Sequence, residues 1–162
     1  MIGWLTRRLR VVLQIEGSPT RIALAFALGV FIAFFPILGI HTGLAIALAV
    51  VLRLNKAAIL TGAWLNNPWT LAPIYTAGTL LGCALFGVSP ASLSDVDWSL
   101  HGRAFYASLL EGFRPLLLPF VVGNLVAGTS VALVTFLVLR SVLARRRLDA
   151  AVRDHGPEAG AR

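Results

Sequence analysis

Two short stretches gather polar side chains around prolines inside the most apolar half of the chain. One is FFPILGIHTG, where His41 and Thr42 follow Pro36 and Gly39; the other is WLNNPWTLAPIY, where Asn66, Asn67, Thr70 and Tyr75 surround Pro68 and Pro73. Hydroxyls, amides and an imidazole are hydrogen-bonding groups, and no carboxylate occurs among the residues from Gly17 to Ser94. Sites that hold protons or metal cations at membrane depth commonly use Asp or Glu, so this set suits an anion. The prolines supply the geometry: a helix restarting at Thr42 and another near Thr70 would aim free N–H groups and positive dipole ends into the breaks. Arg53 can add charge. The expected substrate-binding set is therefore His41, Thr42, Arg53, Asn66, Asn67, Thr70 and Tyr75, with structural breaks at Pro36, Gly39, Pro68 and Pro73.

The same residues have a plainer use. A broken backbone in hydrocarbon leaves N–H and C=O groups unpaired at several kcal/mol each, and Asn66, Asn67, Thr70, His41 and Thr42 can satisfy them. Arg53 and Lys56 also suit snorkelling anchors, Trp69 and Tyr75 suit an interface, and Asn124 suits a hydrogen bond to a neighbouring helix.

These residues need elements to hold them, and composition says which. The chain has 162 residues, 57% hydrophobic and only 13% charged, and the run from Ile22 to Leu52 has no charge beyond His41. Such a run is too long for the core helix of a small soluble domain, so an integral membrane protein is expected. The net charge of +7 collects at segment ends, in Arg7, Arg8 and Arg10 and in Arg140, Arg145, Arg146 and Arg147. The positive-inside rule accounts for that pattern and puts both termini in the cytoplasm of a multi-pass inner-membrane protein; nucleic acid is not an expected partner. Cys83 stands alone as a packing residue. No HExxH, phosphate loop or nucleophile with a base is present, so no enzyme, cofactor or metal is expected.

The segment 1–15 has apolar Ile2, Leu5, Leu9, Val12 and Leu13 opposite its arginines, which suits an amphipathic helix lying in the interface. It precedes a single membrane domain over 16–140. Gly17, Ser18 and Pro19 mark the stop of one helix, the cap of the next and its first position. One straight helix over residues 21–52 would be about 48 Å long against a hydrocarbon core of about 30 Å, which favours two short helices broken at Pro36. Residues 57–88 repeat the arrangement, with G-x6-P (Gly29 to Pro36) matched by G-x5-P (Gly62 to Pro68). A polar external loop over about 89–103, an interfacial helix over 103–116, a final span over 116–139 kinked at Pro119, and a basic cytoplasmic tail over 141–162 complete the reading. The expected fold is an all-α membrane bundle with two proline-broken (re-entrant or short-hairpin) units and a C-terminal transmembrane helix.

EGSPTRIALAFALGVFIAFFPILGIHT followed by RLNKAAILTGAWLNNPWTLAPIY resembles the bacterial membrane family called domain of unknown function 2062. The motif falls on Ser18, Pro19, Gly29, Pro36, Gly39, Thr42, Arg53, Asn55, Trp64, Asn67, Pro68, Thr70, Pro73 and Tyr75. The resemblance implies an integral membrane protein and no particular activity. The functional expectation is a small protein that binds or translocates an anionic, phosphate-bearing lipid or lipid-linked headgroup at the breaks, with membrane lipids as partners and a homodimer as the working unit. The alternative is a membrane scaffold or assembly factor that transports nothing.

Overall fold

The computed structural model describes residues 17–35, 40–65, 68–90, 99 and 101–154, and every regular element among them is helical. In chain order these are α1 (Pro19–Phe34), α2 (His41–Val51), α3 (Lys56–Ala63), α4 (Pro68–Phe86), α5 (Gly102–Phe113), a 3-10 turn (Arg114–Leu116) and α6 (Leu117–Asp154). The segment 1–15 and most of the polar loop lie outside the described residues.

Helix α6 is the spine. Its 38 residues make a rod of about 57 Å at 1.5 Å per residue, and α1 and α4 lie on it one beyond the other. The side chain of Phe34 packs on Gly128, while the Arg147 guanidinium donates to the Gly17 carbonyl. Helix α1 therefore runs antiparallel to the second half of α6. Further up, Gly78 meets Gly123 and Gly82 meets Pro119, so α4 runs antiparallel to the first half.

α1 is buried nearly all round, from Ile22 to Ala33, because α3 covers the side that α6 leaves open. The α1–α3 crossing is set by Gly29 and Gly62. A methyl on Gly29 would stand 2.7 Å from the Ala63 nitrogen, and one on Gly62 would stand 2.9 Å from the Val30 nitrogen. Only a missing side chain lets the two backbones approach this closely. Arg21 donates to the Arg53 carbonyl at 2.8 Å, which fixes the two helices as parallel.

Between them, α2 returns down the bundle and ends in a Schellman cap. Leu54 N–H bonds Ala49 O at 2.8 Å and Arg53 N–H bonds Val50 O at 3.2 Å, with Arg53 at φ 50° where glycine is the usual residue. Leu54 then folds into the core beside Ala49. Asn55 caps the next helix, accepting from Ala58 N–H at 3.0 Å. The Arg-x-Asn pattern is thus a helix stop followed by a helix start.

Several expectations need correction. Pro19 occupies the first turn of α1 as expected, but Ser18 caps it without a side-chain bond. Pro73 does not interrupt its helix: α4 continues through it, because the seam with α6 holds the segment helical despite the missing N–H. Pro119 lies in the first turn of α6, where N–H groups have no helical partner to lose. The basic segment from Arg140 onward is not a separate tail up to Asp154 but the continuation of α6.

Candidate functional site

The site is built on one carbonyl. α1 ends at Phe34, and Phe35 turns to extended backbone at φ −72°, ψ 123°. Its carbonyl oxygen takes the Tyr75 hydroxyl at 3.1 Å from α4 and lies 3.2 Å from His41 Nε2, the donor at the first position of α2. Three elements thus meet on the atom where the first helix stops. Tyr75 is buried and packs its ring edge-on against Phe120 with centroids 5.5 Å apart. At the second break the Thr70 hydroxyl donates to the Leu65 carbonyl, satisfying the end of α3 from the start of α4.

The two breaks lie at neighbouring levels on the spine. Phe34 packs on Gly128, which sits at the middle of the uncharged stretch from Leu117 to Leu139. α3, parallel to α1, ends at Ala63 against Gly29, little more than a turn below. Tyr75, seven residues into α4, reaches Phe35, so the start of α4 at Pro68 lies about 10 Å further along, level with the end of α3. The electropositive starts of α2 and α4 lie about 10 Å apart along α6, with Thr42 exposed at the first and Trp69 at the second.

Among the described residues, the structure brings His41, Tyr75 and the end of α1 together and sets Thr42 and Thr70 at the starts of the adjoining helices. Arg53 is at the opposite end of α2, an 11-residue helix or about 16 Å away, so it does not join the breaks. Asn66, Asn67, Pro36 and Gly39 lie outside the described residues. Pro68 opens α4. Asn124 is fully buried in the α4–α6 seam and donates at 2.8 Å to Phe120 O of its own helix, not to a neighbour. Its Oδ1 faces Gly78 without a hydrogen-bond donor.

The family described as an uncharacterized protein conserved in bacteria (DUF2062) matches residues 3–151. The chain belongs to this family. No curated protein and no solved structure matches it. The DUF2062 match extends well beyond the motif in residues 16–87 and takes in α5 and most of α6. Two helical segments of this DUF2062 chain are long and apolar enough to cross a membrane, Trp69–Phe86 and Gly102–Ala150. Groups of His, Cys, Asp and Glu able to hold a metal ion are absent among the described residues.

Reading the sequence alone missed the seam that fixes the site. Gly78 and Gly82 form a G-x-x-x-G pair on α4 opposite Pro119 and Gly123 on α6, where a methyl on Gly82 would lie 2.6 Å from the Pro119 carbonyl carbon. The spacing was the available signal, since small residues four apart mark close helix contacts in apolar segments.

Proposed function

We propose that this DUF2062 protein is an integral protein of the bacterial inner membrane that binds or moves an anionic, phosphate-bearing lipid headgroup at its paired helix breaks. Membrane placement is supported by uncovered apolar surface. On α6, Leu133, Val134, Leu137 and Val138 are all more than half exposed, a band larger than water-soluble monomers leave open. With Leu117–Leu139 in the hydrocarbon and Arg140 onward at the cytoplasmic face, the breaks beside Gly128 fall near the middle of the bilayer.

The observation that carries the reading is that two helix starts, those of α2 and α4, open within about 10 Å of one another along α6, with Thr42 exposed at the first. A helix start offers N–H groups and a partial positive charge, and no carboxylate between Gly17 and Ser94 competes with the ligand. Thr42 and the first N–H groups of α2 are the binding groups, with Asn66 and Asn67 contributing from the second break. His41 and Tyr75 position the site by holding the end of α1. Arg53, remote from the breaks, meets headgroups at the membrane surface. No catalytic residue is required.

Native mass spectrometry of the protein in mild detergent tests this. A retained phosphate-bearing lipid, one equivalent of which is lost at least about tenfold in Thr42→Val with the melting temperature unchanged, is the expected outcome. Retention unaffected by Thr42→Val removes the site from the breaks.

A second reading is favoured by one specific observation: Thr70, Tyr75 and His41 all bond backbone carbonyls of the breaks. In a scaffold that transports nothing, these bonds would be the whole purpose of the polar residues. Thr70→Val would then lower stability and lower function only in proportion.

A further inference from the structure

A second lipid site is suggested by the groove between α1 and α6, away from the breaks. It has a volume of about 370 Å³, within the ~300–1,000 Å³ typical of small-molecule sites. Its walls are Leu24, Leu28 and Phe31 of α1 and Thr129, Leu133 and Phe136 of α6. The one hydroxyl among them, on Thr129, donates to Leu125 O of its own helix at 2.8 Å, so the groove offers a ligand almost nothing but hydrocarbon.

What distinguishes this groove from the other apolar surfaces is its end. Residues three, four and seven apart share a helix face. Arg21 stands on the same face of α1 as Leu24, Leu28 and Phe31, and Arg140 on the same face of α6 as Phe136, Leu133 and Thr129. Because α1 and α6 are antiparallel, both arginines fall at the same end, about one turn beyond the last apolar walls. Both are exposed. Arg21 gives one bond to the Arg53 carbonyl, and a guanidinium has five N–H donors, so it can hold an anion while keeping its place.

We propose that this groove binds one acyl chain of an anionic phospholipid, with Arg21 and Arg140 clamping the phosphate. The occupant is a lipid because the site is apolar along its length and cationic only at its end. A second copy of the chain seated here would set like-charged arginine pairs against each other, and a water-soluble phosphate would leave the apolar walls uncovered. The inference rests on the membrane reading but not on headgroup binding at the breaks.

The test compares phosphatidylglycerol with phosphatidylcholine, added to the delipidated full-length protein and counted by native mass spectrometry. Phosphatidylglycerol is expected to be retained at least about tenfold better, and this preference is expected to vanish in Arg21→Gln/Arg140→Gln. Arg140→Gln alone, at an exposed position, is expected to lose most of it without a change in melting temperature. Thr129→Trp, which fills the groove, is expected to remove the groove-bound equivalent of either lipid. Equal retention of the two lipids, undiminished phosphatidylglycerol in Arg140→Gln, or a protein dimer in place of a lipid adduct would each overturn the assignment. Thr42→Val separates the two sites: it is expected to leave the groove lipid in place whether or not the breaks bind a headgroup.

Discussion

Gly29 of α1 and Gly62 of α3 press backbone on backbone, with a methyl on Gly62 reaching to 3.0 Å of the Gly29 Cα. These are the two glycines that precede the prolines in the loosely repeated G-x6-P and G-x5-P units. The helices are parallel and cross at these residues, with α1 ending at Phe34 well past Gly29 and α3 ending at Ala63 directly after Gly62. The contact therefore sets the two breaks about a turn apart along the bundle, near enough to face one extended headgroup.

Gly29→Ala and Gly62→Ala are each expected to lower stability by about 1–3 kcal/mol, because the obstructing atoms are backbone and cannot rotate away. Gly43, with open space around it, is the control. Gly43→Ala is expected to be neutral or to stabilise by about 0.5–1 kcal/mol through helix propensity. Thermal unfolding in detergent, followed by circular dichroism, checks all three.

The α4–α6 seam allows a sharper comparison. A methyl on Gly78 meets the Asn124 side chain, 2.8 Å from Nδ2, whereas one on Gly82 meets the Pro119 backbone. Shortening Asn124 removes the first obstruction but not the second. Asn124→Ala is thus expected to rescue Gly78→Ala, with a coupling of about 0.5–3 kcal/mol, and to leave Gly82→Ala uncorrected. Equal rescue of both by Asn124→Ala would contradict the geometry.

Arg53 holds a left-handed backbone conformation that costs an L-residue about 1–2 kcal/mol. Arg53→Gly is expected to raise stability by about 1 kcal/mol, since the bond from Arg21 goes to the Arg53 main chain and survives. Arg53→Ala keeps the strain and should not share the gain. Parallel melting curves of the two variants decide this.

Tyr75 and His41 share the Phe35 carbonyl, so their substitutions should not add. Tyr75→Phe keeps the ring contact with Phe120 and is expected to cost about 1 kcal/mol, because His41 still satisfies the acceptor. Combined with His41→Ala it is expected to cost more than the sum, since the buried carbonyl then loses both donors. A double-mutant cycle on thermal stability provides the measurement.

Much of the fold was legible because its signals are local. Pro19 and Pro68 sit at the starts of α1 and α4, and α1 ends just before Pro36, since proline dictates backbone geometry wherever it falls. The role of Arg53 was not legible. A cation near polar neighbours looks like a ligand, and only the backbone trace places it in a helix cap with its carbonyl as the useful group. Pro73 misled for the opposite reason, as tertiary packing through Gly78 and Gly82 overrode a local breaker. Charge does not mark the end of α6, because arginine is a good helix former and the helix runs on through the basic residues to Asp154. For the site, residue types led to His41, Thr70 and Tyr75, but which carbonyls they meet depends on two crossings set by glycines, and a glycine in sequence does not name its partner.

The most direct measurement is water access to the breaks, which the proposed function puts at mid-membrane. Thr42→Cys and Val126→Cys, each in a Cys83→Ala background, place a thiol beside the breaks and on the exposed face of α6 close to Gly128. Both are reconstituted in vesicles and treated with a membrane-impermeant maleimide. The expected result is that Thr42→Cys is labelled and is protected by phosphatidylglycerol but not by phosphatidylcholine, while Val126→Cys stays unlabelled. Labelling of Val126→Cys, or a Thr42→Cys thiol as inert as Val126→Cys, would contradict a headgroup site at the meeting of the helix ends.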